Sequence, residues 1–160
     1  RIPVVSMSVD GWLALQSATN VLAGNLTSPS SSSTALRLMA PFWDDLETSP
    51  GLTPESGLYW KRIAAGEDPL RPEPHWIFQW HRMRHWSSAP FDDLNFEVKL
   101  FEDGTVEYHY GEMRSGNGNN YASGASATVW LDRGDAGTAL TLSANSPDVL
   151  PHTAWRLVPQ

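Results

Sequence analysis

The sequence predicts an all-β fold, an antiparallel two-sheet β-sandwich of jelly-roll-like form with little helix. Apolar and polar residues alternate with a period of two in most segments, as in half-buried strands. These segments are short and end at Gly, Pro, Asp, Asn or Ser, as in antiparallel sandwiches and barrels. No segment carries a sustained helical stripe. The length of 160 residues suits a single domain spanning residues 1–160.

Eight strand segments are predicted besides a central hairpin. In chain order they are residues 4–9, 12–15, 36–42, 57–63, 76–84, 127–131, 139–142 and 153–157. Asp10-Gly11 separates the first two and indicates a tight turn, because glycine accepts positive φ without a Cβ clash.

The central hairpin is the clearest element of the sequence. Residues 94–100 alternate strictly, Asp103-Gly104 follows as a turn, and residues 106–110 alternate again. This pattern predicts one inner face, with Trp80 and Trp43 packed near it. The face comprises Leu94, Phe96, Val98, Leu100, Val106, Tyr108 and Tyr110.

Composition excludes several classes of function. The formal net charge of −7 argues against a surface that neutralises nucleic-acid phosphates or an anionic membrane. No apolar run is long enough for membrane insertion. The absence of cysteine removes disulfides, thiolate nucleophiles and cysteine-ligated metals. Binding to nucleic acid and insertion into a membrane are therefore not expected.

Three carboxylates directly follow the aromatic pair Phe42-Trp43. Asp44, Asp45 and Glu47 have the hard oxygen ligands that Ca²⁺ prefers, and paired carboxylates can also hydrolyse glycosides. Adjacent Asp residues on a strand point to opposite faces, however, and no calcium-loop motif is present. A structural role, with the carboxylates accepting backbone N–H groups, is the favoured interpretation. No cofactor is expected, with Ca²⁺ as the alternative.

The segment from His75 to Trp86 is crowded with aromatic residues and histidines. Strict alternation places His75, Gln79, His81 and His85 on one face, and Trp76, Phe78, Trp80 and Trp86 on the other. The histidines could bind a metal or ligand, but a polar solvent-facing side is favoured. Trp76 and Trp86, at the strand ends, are candidates to stack on sugars, whereas Phe78 and Trp80 are expected in the core.

Four segments together resemble a nidogen-like β-sandwich module of secreted and surface proteins, a type frequent in bacterial, notably myxobacterial, exported proteins. The segments are residues 7–14 (MSVDGWLA), 40–46 (APFWDDL), 77–80 (IFQW) and 96–111 (FEVKLFEDGTVEYHYG). The resemblance implies a non-catalytic extracellular module with no catalytic residues to transfer. It also implies a further strand before the first segment, supplied by preceding residues or by a partner chain.

These observations lead to three hypotheses for function. The first is a non-enzymatic structural or adhesive module of a larger exported protein, extracellular or at the cell surface, with a protein or glycan partner. The second is a carbohydrate-binding module that uses exposed tryptophans. The third is a glycan-directed hydrolase that uses carboxylates near Asp44 and Asp45, and no hydrolase motif in the sequence supports it.

Overall fold

A computed structural model describes residues 4–15, 37–49, 55–87, 92–116, 118, 120–132 and 139–159. Within these ranges the chain forms eleven strands and one short 3₁₀ turn, Tyr121–Ser123. The strands are β1 (Ser6–Ser8), β2 (Trp12–Ala14), β3 (Leu38–Trp43), β4 (Leu46–Thr48), β5 (Gly57–Ile63), β6 (His75–His85), β7 (Asp93–Phe101), β8 (Val106–Arg114), β9 (Thr128–Leu131), β10 (Leu140–Ala144) and β11 (Thr153–Leu157).

The strands build two antiparallel sheets that pack face to face, which confirms the predicted all-β sandwich. Sheet A has the order β1-β2-β3-β9-β10. Sheet B has the order β11-β8-β7-β6-β4. Strands β4 and β5 both pair with the same edge of β6, β4 with residues 83–85 and β5 with residues 75–81. Strands β4 and β5 therefore form one interrupted edge strand. The sequence pattern does not predict β4, because three residues directly after two aspartates carry too short a pattern.

The β7–β8 hairpin forms the centre of the core, as predicted. Its inner face is buried between the sheets, apart from the partly buried Leu100. Two buried tyrosines of β8 tie the sheets together. The hydroxyl of Tyr108 donates to the carbonyl of Trp130, and that of Tyr110 donates to the carbonyl of Pro41, both at 2.7 Å. These bonds satisfy polar groups that would otherwise be costly to bury.

The prediction that Trp43 packs near this inner face is wrong. Strand β3 has a β-bulge: Ala40 pairs with Trp130 and Trp43 with Thr128, so β3 contains one extra residue. The bulge reverses the alternation, places Phe42 in the core between the sheets and turns Trp43 to the other face of sheet A. Trp43 packs there with Trp12 and Trp130. Pro41 lies within the bulge, where its missing N–H costs no ladder bond.

A second bulge, in β6, corrects the predicted faces of the aromatic and histidine segment. Trp80 pairs with Phe96 and Met83 with Leu94, which leaves one extra residue in β6, and Arg82 has a φ of 53°. Beyond the bulge Met83 lies in the core, so His85, two residues further on, shares its inward face. His81, the first residue of the bulge after the inward Trp80, faces outward beside Tyr59. The two histidines therefore lie on opposite faces of sheet B.

The Asp10-Gly11 turn docks directly on the end of β3. Gly11 has a φ of 77°, and a Cβ at this position would lie 1.8 Å from the carbonyl oxygen of Phe42. Only glycine permits this close approach. The turn is held by a bond from the backbone N–H of Asp44 to the carbonyl of Asp10 at 3.2 Å. The first turn therefore sets the position of the acidic segment that follows β3.

Candidate functional site

Asp44 lies at the centre of a buried polar cluster just beyond β3. One carboxylate oxygen accepts the backbone N–H of Asp45 at 2.9 Å, and the other accepts the hydroxyl of Ser126 at 2.6 Å. Nε2 of His85 lies 3.5 Å from the first oxygen. Asp44 therefore connects the β3–β4 turn to the segment before β9 and to the end of β6.

His85 is enclosed on several sides. Its ring stacks on Tyr121, with centroids 4.0 Å apart, and its Nδ1 lies 2.8 Å from the hydroxyl of Ser87. Its backbone N–H donates to Asp92, whose other carboxylate oxygen accepts the N–H of Gly116. These contacts join the end of β6 to the loop after β8.

Ser87, His85 and Asp44 are the residue types of a hydrolase triad, a juxtaposition that sequence reasoning missed. The Ser87–His85 contact spans two residues of a turn, and neither cavity described below is lined by any of the three. These contacts join the turn after β3, the end of β6 and the segment before β9, and we call the cluster of Asp44, His85, Ser87 and Ser126 the polar lock.

Asp45 contacts this lock through its backbone, and Glu47 lies outside it. Glu47 forms an ion pair with Arg84, at 3.0 Å, on the outward side of sheet B. The carbonyl of Asp45 accepts the backbone N–H of Trp86. Burial, with a smaller contribution from Asp45 and Asp44, raises the pKa of Asp10. Among the described residues, no group of three or more His, Asp or Glu side chains is placed to hold a metal ion.

The four ligand candidates in β6 and in the turn after it are also dispersed. His81 meets the edge of Tyr59 on the outward face of sheet B. Trp86 is 60% exposed in the turn after β6, away from both cavities. His85 belongs to the buried lock. Only Trp76 lines a cavity.

That cavity lies at one open side of the sandwich, between β1 of sheet A and the β5 edge of sheet B. We call it the aromatic mouth. Its volume is about 960 Å³, and its lining is mostly apolar, comprising Val5, Met7, Trp60, Trp76, Phe78, Leu100, Phe101, Glu102 and Gly104. Trp60 is 67% exposed and lies 5.7 Å from Trp76 between ring centroids. An ion pair of 3.5 Å between Arg62 and Glu102 lies at its rim.

Sequence reasoning missed Trp60, the most exposed tryptophan of the mouth. Trp60 pairs with Phe78 across the β5–β6 ladder, and this pairing turns its side chain inward. Its position was predicted as strand, but only the strand order shows that β5 is an edge and leaves the side chain uncovered. A strand pattern in one sequence does not report which strands are edges.

A second, more polar cavity of about 410 Å³ lies on the outward face of sheet B. Gln79, Glu97, His109 and His152 contribute to its lining. Beside it, Glu107 is buried and pairs with Arg71 at 3.0 Å and with His109 at 2.8 Å. Burial raises the pKa of Glu107, but the bonds from His109 and Arg71 outweigh that effect and leave the pKa lowered. Arg71 thus holds the 64–74 loop against the sheet.

The comparisons with known proteins agree with the fold. A family model described as NIDO related matches residues 3–156, which is nearly the whole chain. No curated protein and no solved structure matches the chain. Within the described ranges, no helix has the length and apolar character that a membrane crossing requires.

Proposed function

Because the chain belongs to the NIDO-related family, whose members are extracellular and generally non-enzymatic modules, we propose that it is a structural or adhesive module of a larger exported protein. Its role is to bind a protein partner at the cell surface. The aromatic mouth is the recognition site in this proposal.

The exposure of the mouth is the observation that carries the proposal. Exposing large aromatic side chains to water is unfavourable, so a cluster of them at an open cleft is typical of an interaction site. Trp60 and Trp76 lie together at such a cleft, beside the aliphatic side chains of Val5, Met7 and Leu100. Tryptophan is also enriched among residues that dominate binding energy at interfaces.

The polar residues support a non-catalytic role. Asp44, His85 and Glu107 are each buried, and each makes hydrogen bonds or ion pairs that connect loops to the sandwich. Such contacts stabilise the positions of loops. We therefore assign these residues to structure and the mouth to recognition.

The test compares two tryptophans of similar exposure. Wild-type chain, Trp60→Ala and Trp86→Ala are immobilised and probed with a panel of purified extracellular and surface proteins. We expect a partner that binds wild type and Trp86→Ala alike and binds Trp60→Ala at least about tenfold more weakly, as for an interfacial tryptophan. If both variants bind the partner equally weakly, or both bind it as tightly as wild type, the assignment of the mouth as the recognition site is wrong.

A carbohydrate ligand is the second candidate function, and the rim of the mouth favours it. The tilted Trp60–Trp76 pair offers stacking faces, and Arg62 and Glu102 offer groups that bond hydroxyls. Isothermal titration with a glycan panel tests it. Saturable heat with wild type that disappears in Trp60→Ala would replace the protein partner with a glycan.

A hydrolytic role is tested separately with chromogenic glycosides. Our proposal predicts no turnover above that of Asp44→Ala. Turnover that depends on Asp44 or Asp45 would establish the hydrolase hypothesis instead.

A further inference from the structure

The aromatic mouth lies directly beside an open sheet edge. Strand β5 pairs with β6 along its whole length, from Gly57 with His81 to Ile63 with His75. Within the described ranges, no strand pairs with the opposite edge of β5. An edge of this kind presents backbone N–H and C=O groups that another strand can bond.

The side chains of β5 alternate between the mouth and the outward face. Leu58, Trp60 and Arg62 pair with Trp80, Phe78 and Trp76, so they share the inward face of sheet B. A strand added to β5 would place every second side chain beside these three, over the mouth. The open edge and the apolar cavity therefore form one site with two kinds of contact.

We propose that the mouth binds an extended polypeptide segment of a partner protein, which adds to sheet B as a strand beside β5. This inference rests on the function proposed above and specifies its ligand. Backbone hydrogen bonds to β5 supply affinity, and the side chains that enter the mouth supply specificity. The inward residues of the segment are apolar opposite Leu58 and Trp60, and acidic opposite Arg62.

The charge at the rim supports the acidic position. Arg62 is exposed, and its ion pair with the exposed Glu102 is 3.5 Å long. Opposite charges in directly facing cross-strand positions are favourable. A carboxylate opposite Arg62 would add a charge-assisted bond and fix the register of the added strand.

The same features disfavour a second copy of this chain as the occupant. Two β5 strands paired antiparallel about Trp60 would place Arg62 opposite Leu58, with no carboxylate facing it. The two chains would also repel each other, since each carries a formal charge of −7.

A glycan fits the walls less well than a peptide. Four of the nine lining residues, Val5, Met7, Phe78 and Leu100, have side chains that offer no hydrogen bonds to sugar hydroxyls. The backbone edge of β5 offers a row of donors and acceptors at the spacing of a strand.

The experiment begins with a library of seven-residue peptides. Odd positions hold Thr, and each even position varies over Val, Leu, Phe, Trp, Tyr and Asp. The library is selected on immobilised wild-type chain and, in parallel, on Trp60→Ala. We expect enrichment, on wild type alone, of peptides with two apolar residues and a terminal Asp among the variable positions. No enrichment over the Trp60→Ala surface would overturn the proposal.

The selected peptide then tests whether strand pairing is the mode of binding. It is made in two forms, one N-methylated on the odd residues and one on the even residues. Only one set of amides faces β5 in an added strand, so one form should lose binding by more than about tenfold and the other should keep it. Equal effects of the two forms would overturn strand addition.

Matched variants separate failure of this inference from failure of the proposed function. Trp86→Ala should bind the peptide within about twofold of wild type, because Trp86 lies outside the mouth. Arg62→Gln should weaken Asp-containing peptides several-fold and leave their Asn analogues unchanged. If a surface protein or glycan binds with Trp60 dependence while no peptide is enriched, strand addition is wrong and the mouth remains the recognition site.

Discussion

Two groups of tryptophans in this chain have opposite environments. Trp12, Trp43 and Trp130 lie on the face of sheet A that points away from sheet B, and each is at most 4% exposed. Trp60 and Trp76 lie at the mouth, and Trp60 is 67% exposed. We call these the sealed group and the open group.

Strand position accounts for the exposure of Trp60. The sealed group lies on β2, β3 and β9, which have neighbouring strands on both sides. Trp60 belongs to β5, at an edge of sheet B. A central strand surrounds its side chains with neighbours, whereas an edge strand leaves one flank open. Trp76 lies on β6, between β5 and β7, and is partly buried. The comparison of Trp60 with the sealed group teaches that the exposure of an aromatic residue depends on whether its strand has neighbours on both sides.

The largest expected effect is the loss of a sealed tryptophan. Trp43→Ala removes a fully buried ring and should lower the free energy of unfolding by about 3–5 kcal/mol. Trp60→Ala should change it by less than about 0.5 kcal/mol, since its ring is mostly exposed. Urea unfolding of both variants measures the difference. Equal losses would show that the two groups do not differ in the way described.

The polar lock should have an intermediate effect. Asp44→Ala leaves the hydroxyl of Ser126 and the N–H of Asp45 without their partner, which should cost about 1–3 kcal/mol. Asp45→Ala is the control, because the bond to Trp86 uses the Asp45 backbone. The comparison is sharpened if Asp44→Ala destabilises the fold while peptide binding at the mouth is retained. A larger loss in Asp45→Ala would contradict the assignment of the lock.

The pair between Glu107 and Arg71 predicts a smaller effect that depends on pH. The pKa of Glu107 is lowered from its ordinary value of 4.5, so folding favours its ionised form. The stability from this group is present above pH 4.5 and is lost as the pH falls through the lowered pKa. Glu107→Gln should therefore lose less stability than wild type on acidification. If the stability of the two proteins falls by the same amount on acidification, the pair of Glu107 and Arg71 does not contribute to the pH dependence of stability.

The smallest expected effect is that of chelation. If Asp44, Asp45 and Glu47 act structurally, treatment with EDTA should leave the melting temperature unchanged, because a ligand bound to the native state alone would raise it by mass action. A decrease that Ca²⁺ reverses would replace the structural interpretation with a calcium site. The same EDTA and Ca²⁺ treatments of Trp43→Ala would show whether the sealed group is coupled to that site.

Local patterns predicted much of the fold. The alternation of residues 94–100 and 106–110 identified the inner face of β7 and β8, because each side chain on a regular strand takes its face from its neighbours in sequence. The Asp103-Gly104 turn was predictable for the same reason, and Gly104 has a φ of 86°. Trp76 was predicted as a ligand-binding candidate from its place at a strand end, and it lines the mouth.

The candidate site was less predictable, because it depends on contacts between distant residues. Trp60 and Met7 belong to different sheets, and only the packing of those sheets brings them to one cavity. The lock of Asp44, His85 and Ser126 joins residues from three separate parts of the chain. Such contacts leave no periodic signal in the sequence.

The sequence by itself determined most of the strand segments, their turns and the faces of the regular strands, because these depend on neighbouring residues. Tertiary structure decided the bulges in β3 and β6, which turned Trp43 away from the core between the sheets and His85 toward it. A bulge is a mismatch in length between two paired strands, so it exists only once the partner strand is in place. Tertiary structure also decided that Trp60 lies on a strand at the edge of sheet B as the described residues form it, since the order of strands in a sheet is a property of the assembled chain.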